Sequence, residues 1–462
     1  MTEAPHHSLT HSEGKTPRSI LPADMISVEE ARARILQHFA PLEAVDVPLL
    51  EAIGQVLAED VTAGFDIPPL TNTGMDGYAV RAADTADATY EAPLRLRVTG
   101  YLAAGSVFQG AVGPGEAVRI MTGAPIPAGA DAVVPFEETD EQERGASWAA
   151  APGTEVRIDV EARPGANLRL AGEDVRSGEL VLPAGTVIGP AQVGVLASLG
   201  HARANVIRRP RVAILSTGDE LLRPGEPLEP GKIYDANAFS LAAQVRAFGG
   251  EPRILEIARD TIEALTERIH EGLARADLLV TSAGVSRGDF DVVKEVLQRE
   301  GQIGFWTVRM KPGKPLAFGT LKTEDGRAVP HLGLPGNPVS AMMTFELFGR
   351  PALFTMLGKP HLWPRPTVRG VAAERIANTD GRRFYARAWV TEEADGAEGK
   401  AARFVARLTG PQGSGVLTSM ALANGYAVCP EDVPAIEAGE ECDIILVDRE
   451  LPPDRPPREA SR

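Results

Sequence analysis

The 462-residue chain has only two cysteines, Cys429 and Cys442. Their spacing fits neither a disulfide-rich scaffold nor a zinc ribbon, so both are expected as small core residues in a reducing compartment. No apolar run approaches the roughly 20 residues of a membrane span, and the N-terminus has no apolar signal core, which points to a cytoplasmic protein with no membrane partner. Positive charge is also short, with a formal net charge of −16. A nucleic-acid partner is thereby excluded, and any anion must be held by a local basic pocket. Carboxylates in turn are missing from one stretch: residues 301–323 carry Arg309, Lys311, Lys314 and Lys322 and no acid.

Glycine (47) and proline (37) are abundant, which implies many turns and β-rich modules, and the length suggests roughly three or four domains. The acid-free stretch lies inside residues 276–348, where two strand-to-glycine-loop-to-helix turns occur. In the first, Leu278, Leu279 and Val280 read as a buried strand leading through Ser282 to Gly284, before the helical pattern Val292, Val293, Val296, Leu297. In the second, a strand from His331 to Leu334 is turned by Pro335 and Gly336, with Asn337 as N-cap and Pro338 at the first helical position. Such a helix start suits an anion. A third turn follows Val212 to Leu215, through Ser216, Thr217, Gly218, Asp219 and Glu220. Three such turns imply one parallel, doubly wound sheet whose loops border a single crevice for a phosphorylated or otherwise anionic ligand. Acidic residues at the loop ends, Asp219 and Glu220, Asp260, and Asp289 and Asp291, could hold a divalent cation there, and each is equally placed to cap a helix.

Elsewhere, Ser27-Val28-Glu29-Glu30 reads as a capping box opening a helix with Ala31, Ile35, Leu36 and Phe39 on one face. Residues 68–80 form a stiff turn that exposes Asp76 or lets it bond its own backbone, and local physics favours the second. A β-barrel-like module covers 92–162, with Thr122 at a strand end and an acidic run, Glu137, Glu138, Asp140, Glu141 and Glu143, expected as a solvated loop. A turn-rich segment then carries Asp174. Alternating strands from about 364 to 448 indicate a small β-barrel or sandwich, and both chain ends read as disordered tails.

The motifs NTGMDGYAV, RIMTGAPIPAGADAVV, GEDV, STGDEL, IYDAN, SAGVSRGDFD, MKPGKPLAFG, GLPGNPVSA and QGSG, in this order, resemble those of the MoeA family of molybdenum insertases, which includes the gephyrin E domain. The resemblance implies a multidomain α/β plus β fold. Between disordered tails at 1–24 and 451–462 it places a segmented N-terminal domain (25–66 and 165–205), an inserted β module (67–164), a MogA-like doubly wound α/β domain (206–360) and a C-terminal β-barrel (361–450). It further implies a homodimer whose crevice is completed by the β modules, one of them from the other subunit, and a MogA-type adenylyltransferase as a possible partner.

The implied reaction takes adenylylated molybdopterin and molybdate, with Mg²⁺, and gives molybdenum cofactor and AMP. On the matching positions the implied catalytic set is Asp291, Glu220, Asp260, Lys311, Asp76 and Asp174, with Asp291, Glu220 and Asp260 as metal ligands. The implied substrate-binding set is Thr122, Ser216, Thr217, Gly218, Ser282, Gly284, Lys314, Pro335, Gly336, Asn337, Pro338, Arg387 and Ser414. Three positions depart from the family pattern: Ala283 stands for a second glycine, Thr307 for a lysine of some members, and Thr73-Gly74 for Ser-Ala. The alternatives are a MogA-type molybdopterin adenylyltransferase and a catalytically divergent paralogue or molybdopterin-binding scaffold.

Overall fold

The computed structural model describes residues 25–144, 153–283, 292–393 and 403–447. The expectations for Gly284, Asp289 and Asp291 lie outside the described residues. Two compact units form: Ala44–Val206 make one, and the chain up to Glu43 together with the chain from Ile207 onward makes the other. Among the described residues no helix is long and apolar enough to cross a membrane.

The larger unit is built on a seven-stranded sheet. Its parallel half runs Glu251–Ile254, Arg211–Ser216, Leu278–Ser282, Ala328–Leu334. Along each strand successive residues leave on opposite faces. Val212, Ile214, Leu278, Val280, Leu332 and Leu334 therefore join the core beneath the helices Ala236–Ala247 and Pro338–Thr344. Ala213, Leu215 and Leu279 join the opposite core with Ile262–Leu273 and Val292–Glu300. A strand covered on both faces must be apolar throughout, which is why these runs show no alternation.

The rest of the sheet differs from the purely parallel expectation. Ala328–Leu334 pairs antiparallel with Pro315–Lys322, and that strand pairs antiparallel with Gly301–Val308. The acid-free stretch is thus itself a hairpin that extends the sheet, and Trp306 packs on Phe318 at 5.9 Å between ring centres.

The edge strand Met25–Ile26 runs parallel to Gly301–Val308, and the helix Val28–Leu36 follows it. Ser27 Oγ accepts from the Glu30 N–H at 3.0 Å, while the Glu30 carboxylate turns to Arg34, so only half of the capping box forms. Val28, Ala31 and Ile35 enter the α/β core. Strand pairing and the apolar helix face both attach residues 25–43 to this sheet.

The C-terminal strands Thr367–Ala372, Arg383–Glu393, Arg403–Leu408, Gly425–Cys429 and Glu441–Leu446 close into a barrel, since Arg383–Glu393 pairs with both Arg403–Leu408 and Gly425–Cys429. Both cysteines are free and buried in its core. Met310–Lys311 runs parallel to the start of the barrel strand, with Lys311 opposite Phe384, so one ladder ties the sheet to the barrel.

In the smaller unit a five-stranded sheet runs Ala132–Pro135, Gly77–Val80, Glu116–Ile120, Leu94–Leu102, Glu155–Ile158, and a bridge between Thr139 and Ile158 draws its outer edges together. The acidic run is solvated at Glu137 and Glu143 but not throughout. Asp140 and Glu141 are buried, and Glu141 accepts two hydrogen bonds at 2.7 Å from the buried Arg119, which also stacks on Tyr78 and Phe136. A second core, with Ala52, Leu57, Ile188, Leu196, Ala204 and Val206, lies under the helix Pro190–Ser198.

Candidate active site

The three glycine-loop turns emerge at one end of the parallel strands, as their register requires: Ser216 lies beside Ser282, and Ser282 beside Leu334. Hydrogen bonds fasten them. Asn237, near the start of its helix, donates at 2.7 Å to both Ser282 Oγ and the Gly336 carbonyl. Thr217 Oγ1 donates at 2.8 Å to Asp260. Gly218 has φ +145°, and a Cβ there would lie 2.5 Å from the Glu220 carboxylate, so only glycine lets that acid fold back over the turn. Ala283 has φ +92°. An alanine thus occupies a backbone conformation suited to glycine, which accounts physically for the second glycine of the family pattern.

Past this end lies a cavity of about 460 Å³, lined by Lys311, Lys314, Pro335, Gly336, Asn337, Arg382, Ser414 and the backbone around them. Three cations face it, and no carboxylate is among its described lining residues. Lys311 sits 4.8 Å from the centre of the Phe384 ring and 3.6 Å from Asp380, while Arg382 donates to Asp380 at 2.5 Å. Burial opposes the charge of Asp380, but the Arg382 hydrogen bond and the charges of Arg382 and Lys311 prevail and hold its carboxyl below the ordinary range. Gly313, with φ +105°, makes the tight turn between the two lysines, where a Cβ would meet Thr344 Oγ1 at 2.5 Å.

The barrel supplies the opposite wall through residues 410–414. Gln412 brackets the strand at Arg387, accepting from its N–H at 2.8 Å and donating to its carbonyl at 3.2 Å. The Ser414 carbonyl accepts from the Val339 N–H at 3.1 Å, docking the barrel loop on the first turn of the helix after Pro338. Arg387 is not among the residues that line the cavity. Its side chain is fully buried beneath the loop, donating to Ser419 Oγ at 2.9 Å and to the Pro411 and Gly413 carbonyls at 3.1 Å. Burial lowers its pKa to about 10, so it stays charged at neutral pH, yet Nη1 has no partner.

The expected residues thus divide. Lys311, Lys314, Pro335, Gly336, Asn337 and Ser414 meet at the cavity. Ser216, Thr217 and Ser282 are buried at strand ends beside it, and Glu220 and Asp260 are exposed on the neighbouring turns. Asn337 makes no side-chain cap, which leaves its amide on the cavity wall. Among the described residues no group of three or more His, Cys, Asp or Glu could hold a metal ion. Asp76, Thr122 and Asp174 belong to the smaller unit. There Asp76 does not bond its own backbone: its Oδ1 accepts from the Thr122 N–H at 2.7 Å and from the Thr122 hydroxyl at 2.6 Å, and these bonds lower its pKa. Thr73 makes the local turn in its place, through Met75.

Sequence reasoning missed Arg382, Asn237 and Gln412. The arginine pair at 382 and 383 was visible, but only the barrel register shows that Arg382 faces the cavity while Arg383 pairs with Glu29 and Glu431. Neither Thr307 nor Arg309 is among the lining residues.

Comparison with known proteins gives a consistent result along the chain. Residues 26–200 match the model of the MoeA N-terminal region (domains I and II), 213–355 that of the probable molybdopterin binding domain, and 369–447 that of the MoeA C-terminal region (domain IV). The chain is 38% identical over 426 residues to molybdopterin molybdenumtransferase 2 of Mycobacterium tuberculosis, covering 91% of this chain and 99% of that protein. It is 33% identical over 421 residues to the molybdopterin molybdenumtransferase of Haemophilus influenzae, covering 91% and 98%. A crystal structure of a molybdopterin biosynthesis MoeA protein from Pyrococcus horikosii is similar at a TM-score of 0.74 and 31% identity, over 92% of this chain and 99% of that one.

Proposed function

The chain belongs to the MoeA family of molybdopterin molybdenumtransferases, and from that premise we propose that the three-cation cavity takes molybdate and the phosphate end of adenylylated molybdopterin. The observation that carries this reading is the placing of Lys311, Lys314 and Arg382 around one cavity with no acid among its described lining residues, in a chain of net charge −16. Molybdate is a tetrahedral dianion, and a fixed set of ammonium, guanidinium and amide donors complements it without reorganising. Arg387 adds a buried positive charge one layer behind the 410–414 loop.

Transfer of molybdenum releases AMP, so negative charge gathers on the phosphate as the pterin's link to it breaks. Fixed donors at that position supply the stabilisation that dominates phosphoryl chemistry. In this proposal Lys311 and Lys314 bind and orient the oxyanions, the Pro335, Gly336 and Asn337 turn shapes the wall, and Ser414 donates from the barrel. Glu220 and Asp260, with Asp291, offer the hard oxygen donors that suit Mg²⁺, which when bound neutralises phosphate charge. Asp76, Thr122 and Asp174 act from the smaller unit, supplied in a homodimer by the second copy. Leu228, Ile233 and Phe239, all more than half exposed in the larger unit, are the apolar surface that such a dimer would use.

The test is AMP release from adenylylated molybdopterin, with and without molybdate and Mg²⁺, by wild type, Lys314→Ala and Asp291→Ala. Molybdate-dependent release is expected, falling on the order of 100-fold in Lys314→Ala and lost in Asp291→Ala. Tight pterin binding without release would reject the proposal and leave a scaffold.

A further inference from the structure

Two of the three cavity cations already share an anion. Asp380 lies on the turn just before the barrel strand Arg383–Glu393 and does not itself line the cavity. One of its oxygens, Oδ2, takes the Arg382 guanidinium at 2.5 Å and lies 3.6 Å from the Lys311 ammonium. The other, Oδ1, is enclosed and has no partner. Lys314 makes no ion pair with any described residue. The lining cations and their shared carboxylate therefore sum to three less one, a net of two, which equals the charge of a tetrahedral dianion, and Arg387 is a further positive charge behind the barrel loop.

We propose that Asp380 is the resident counter-anion of this cavity, and that an incoming oxyanion dianion takes Lys311 and Arg382 over from it. The inference rests on the oxyanion reading above and deepens it. Without the carboxylate, the two cations would repel each other and draw in any anion strongly. With it, they are held in place and partly neutralised, so the cavity takes a dianion and can release it. Asp380 is a positioning residue here, acting through the two cations. It sets affinity by competing for them, and a role in mere scaffolding would have the opposite effect on binding. Removing a scaffold loosens Arg382 and weakens the site, whereas removing a competitor frees charge at a distance where attraction is strong.

The experiment is calorimetric titration of the full chain with molybdate, and with sulfate as a second tetrahedral dianion, using wild type, Asp380→Asn, Arg382→Ala, the double variant and Lys314→Ala. Thermal midpoints are recorded for each, and Asp380→Ser serves if the asparagine variant does not fold. Asp380→Asn is expected to bind both dianions about tenfold more tightly than wild type. That gain should vanish in the double variant, and Lys314→Ala should weaken binding. If wild type binds and Lys314→Ala weakens binding, but Asp380→Asn is unchanged or weaker, the counter-anion role is overturned and the oxyanion reading stands. A wild-type chain that binds neither dianion overturns both.

Discussion

Arg119 in the smaller unit and Arg387 in the larger are both buried, and the two units treat the buried charge in opposite ways. Arg119 meets Glu141 through two 2.7 Å bonds and also donates to the Gly77 and Ile120 carbonyls. Arg387 has carbonyl and hydroxyl acceptors, no carboxylate, and one nitrogen unpaired. A buried cation compensated within the fold is architecture. One left with a nitrogen unpaired beside a cavity of like charge adds to the positive field of that cavity.

Breaking the paired arginine should have the largest effect. Arg119→Ala strands Glu141 in the core and should cost about 3–5 kcal/mol in chemical denaturation, while Arg119→Met with Glu141→Leu should recover most of it. If the double variant is as unstable as the single, the pair is not the unit of stability.

His331 represents a third way of treating a buried base, by leaving it neutral. It is fully buried in the central sheet, close to Thr281 at 3.0 Å, and burial lowers its pKa to about 3. The unfolded chain takes its proton near pH 6.5 and the folded chain does not, so this contribution is complete above that pH and shrinks as pH falls towards 3. By pH 4.5 the loss should reach roughly 2–3 kcal/mol. Thermal melts across this range should flatten in His331→Gln, and an unchanged slope would rule out His331 as the source.

The unpaired arginine should be nearly dispensable for folding. Arg387→Met removes a desolvated charge along with its hydrogen bonds, so stability should change by about 1–2 kcal/mol. Molybdate affinity should nonetheless fall about tenfold. A folding loss as large as the 3–5 kcal/mol expected of Arg119→Ala would erase the contrast with Arg119. The smallest effect belongs to Thr122→Val, which removes one of the two bonds on Asp76. Its carboxyl should then titrate closer to the ordinary range by NMR, without a change in fold.

Much of this was legible in the chain because it is written locally. The apolar runs bounded by Ser216, Ser282 and Leu334 announced the parallel strands. Lysines within KPGKP and the Pro335-Gly336 turn announced the cavity, since charge and turn chemistry need no partner to be recognised. What stayed hidden depends on register or distance. Asn237 lies 45 residues from Ser282 and 99 from Gly336, and no local pattern joins them. Whether Arg382 or Arg383 meets the cavity depends on how the barrel strand lies against Met310–Lys311. Glu141 looked solvated because runs of acid usually are, and its partner lies 22 residues away on a strand whose neighbours are apolar.

The short ladder between Met310–Lys311 and the barrel strand sets the mechanics of the site. Lys311 belongs to one jaw and Arg382 to the other, and the ladder acts as the rivet of a pair of callipers. The same boundary is crossed by the Arg383–Glu29 and Arg365–Glu346 ion pairs and by Tyr385, Met420 and Tyr426, which pack into the core of the sheet, so sliding one jaw past the other would disrupt all of these. The bond from the Val339 N–H to the Ser414 carbonyl adds a contact beside the cavity itself. The distance between the Lys311 and Arg382 side chains is thus set by how the two parts dock, and by neither part alone.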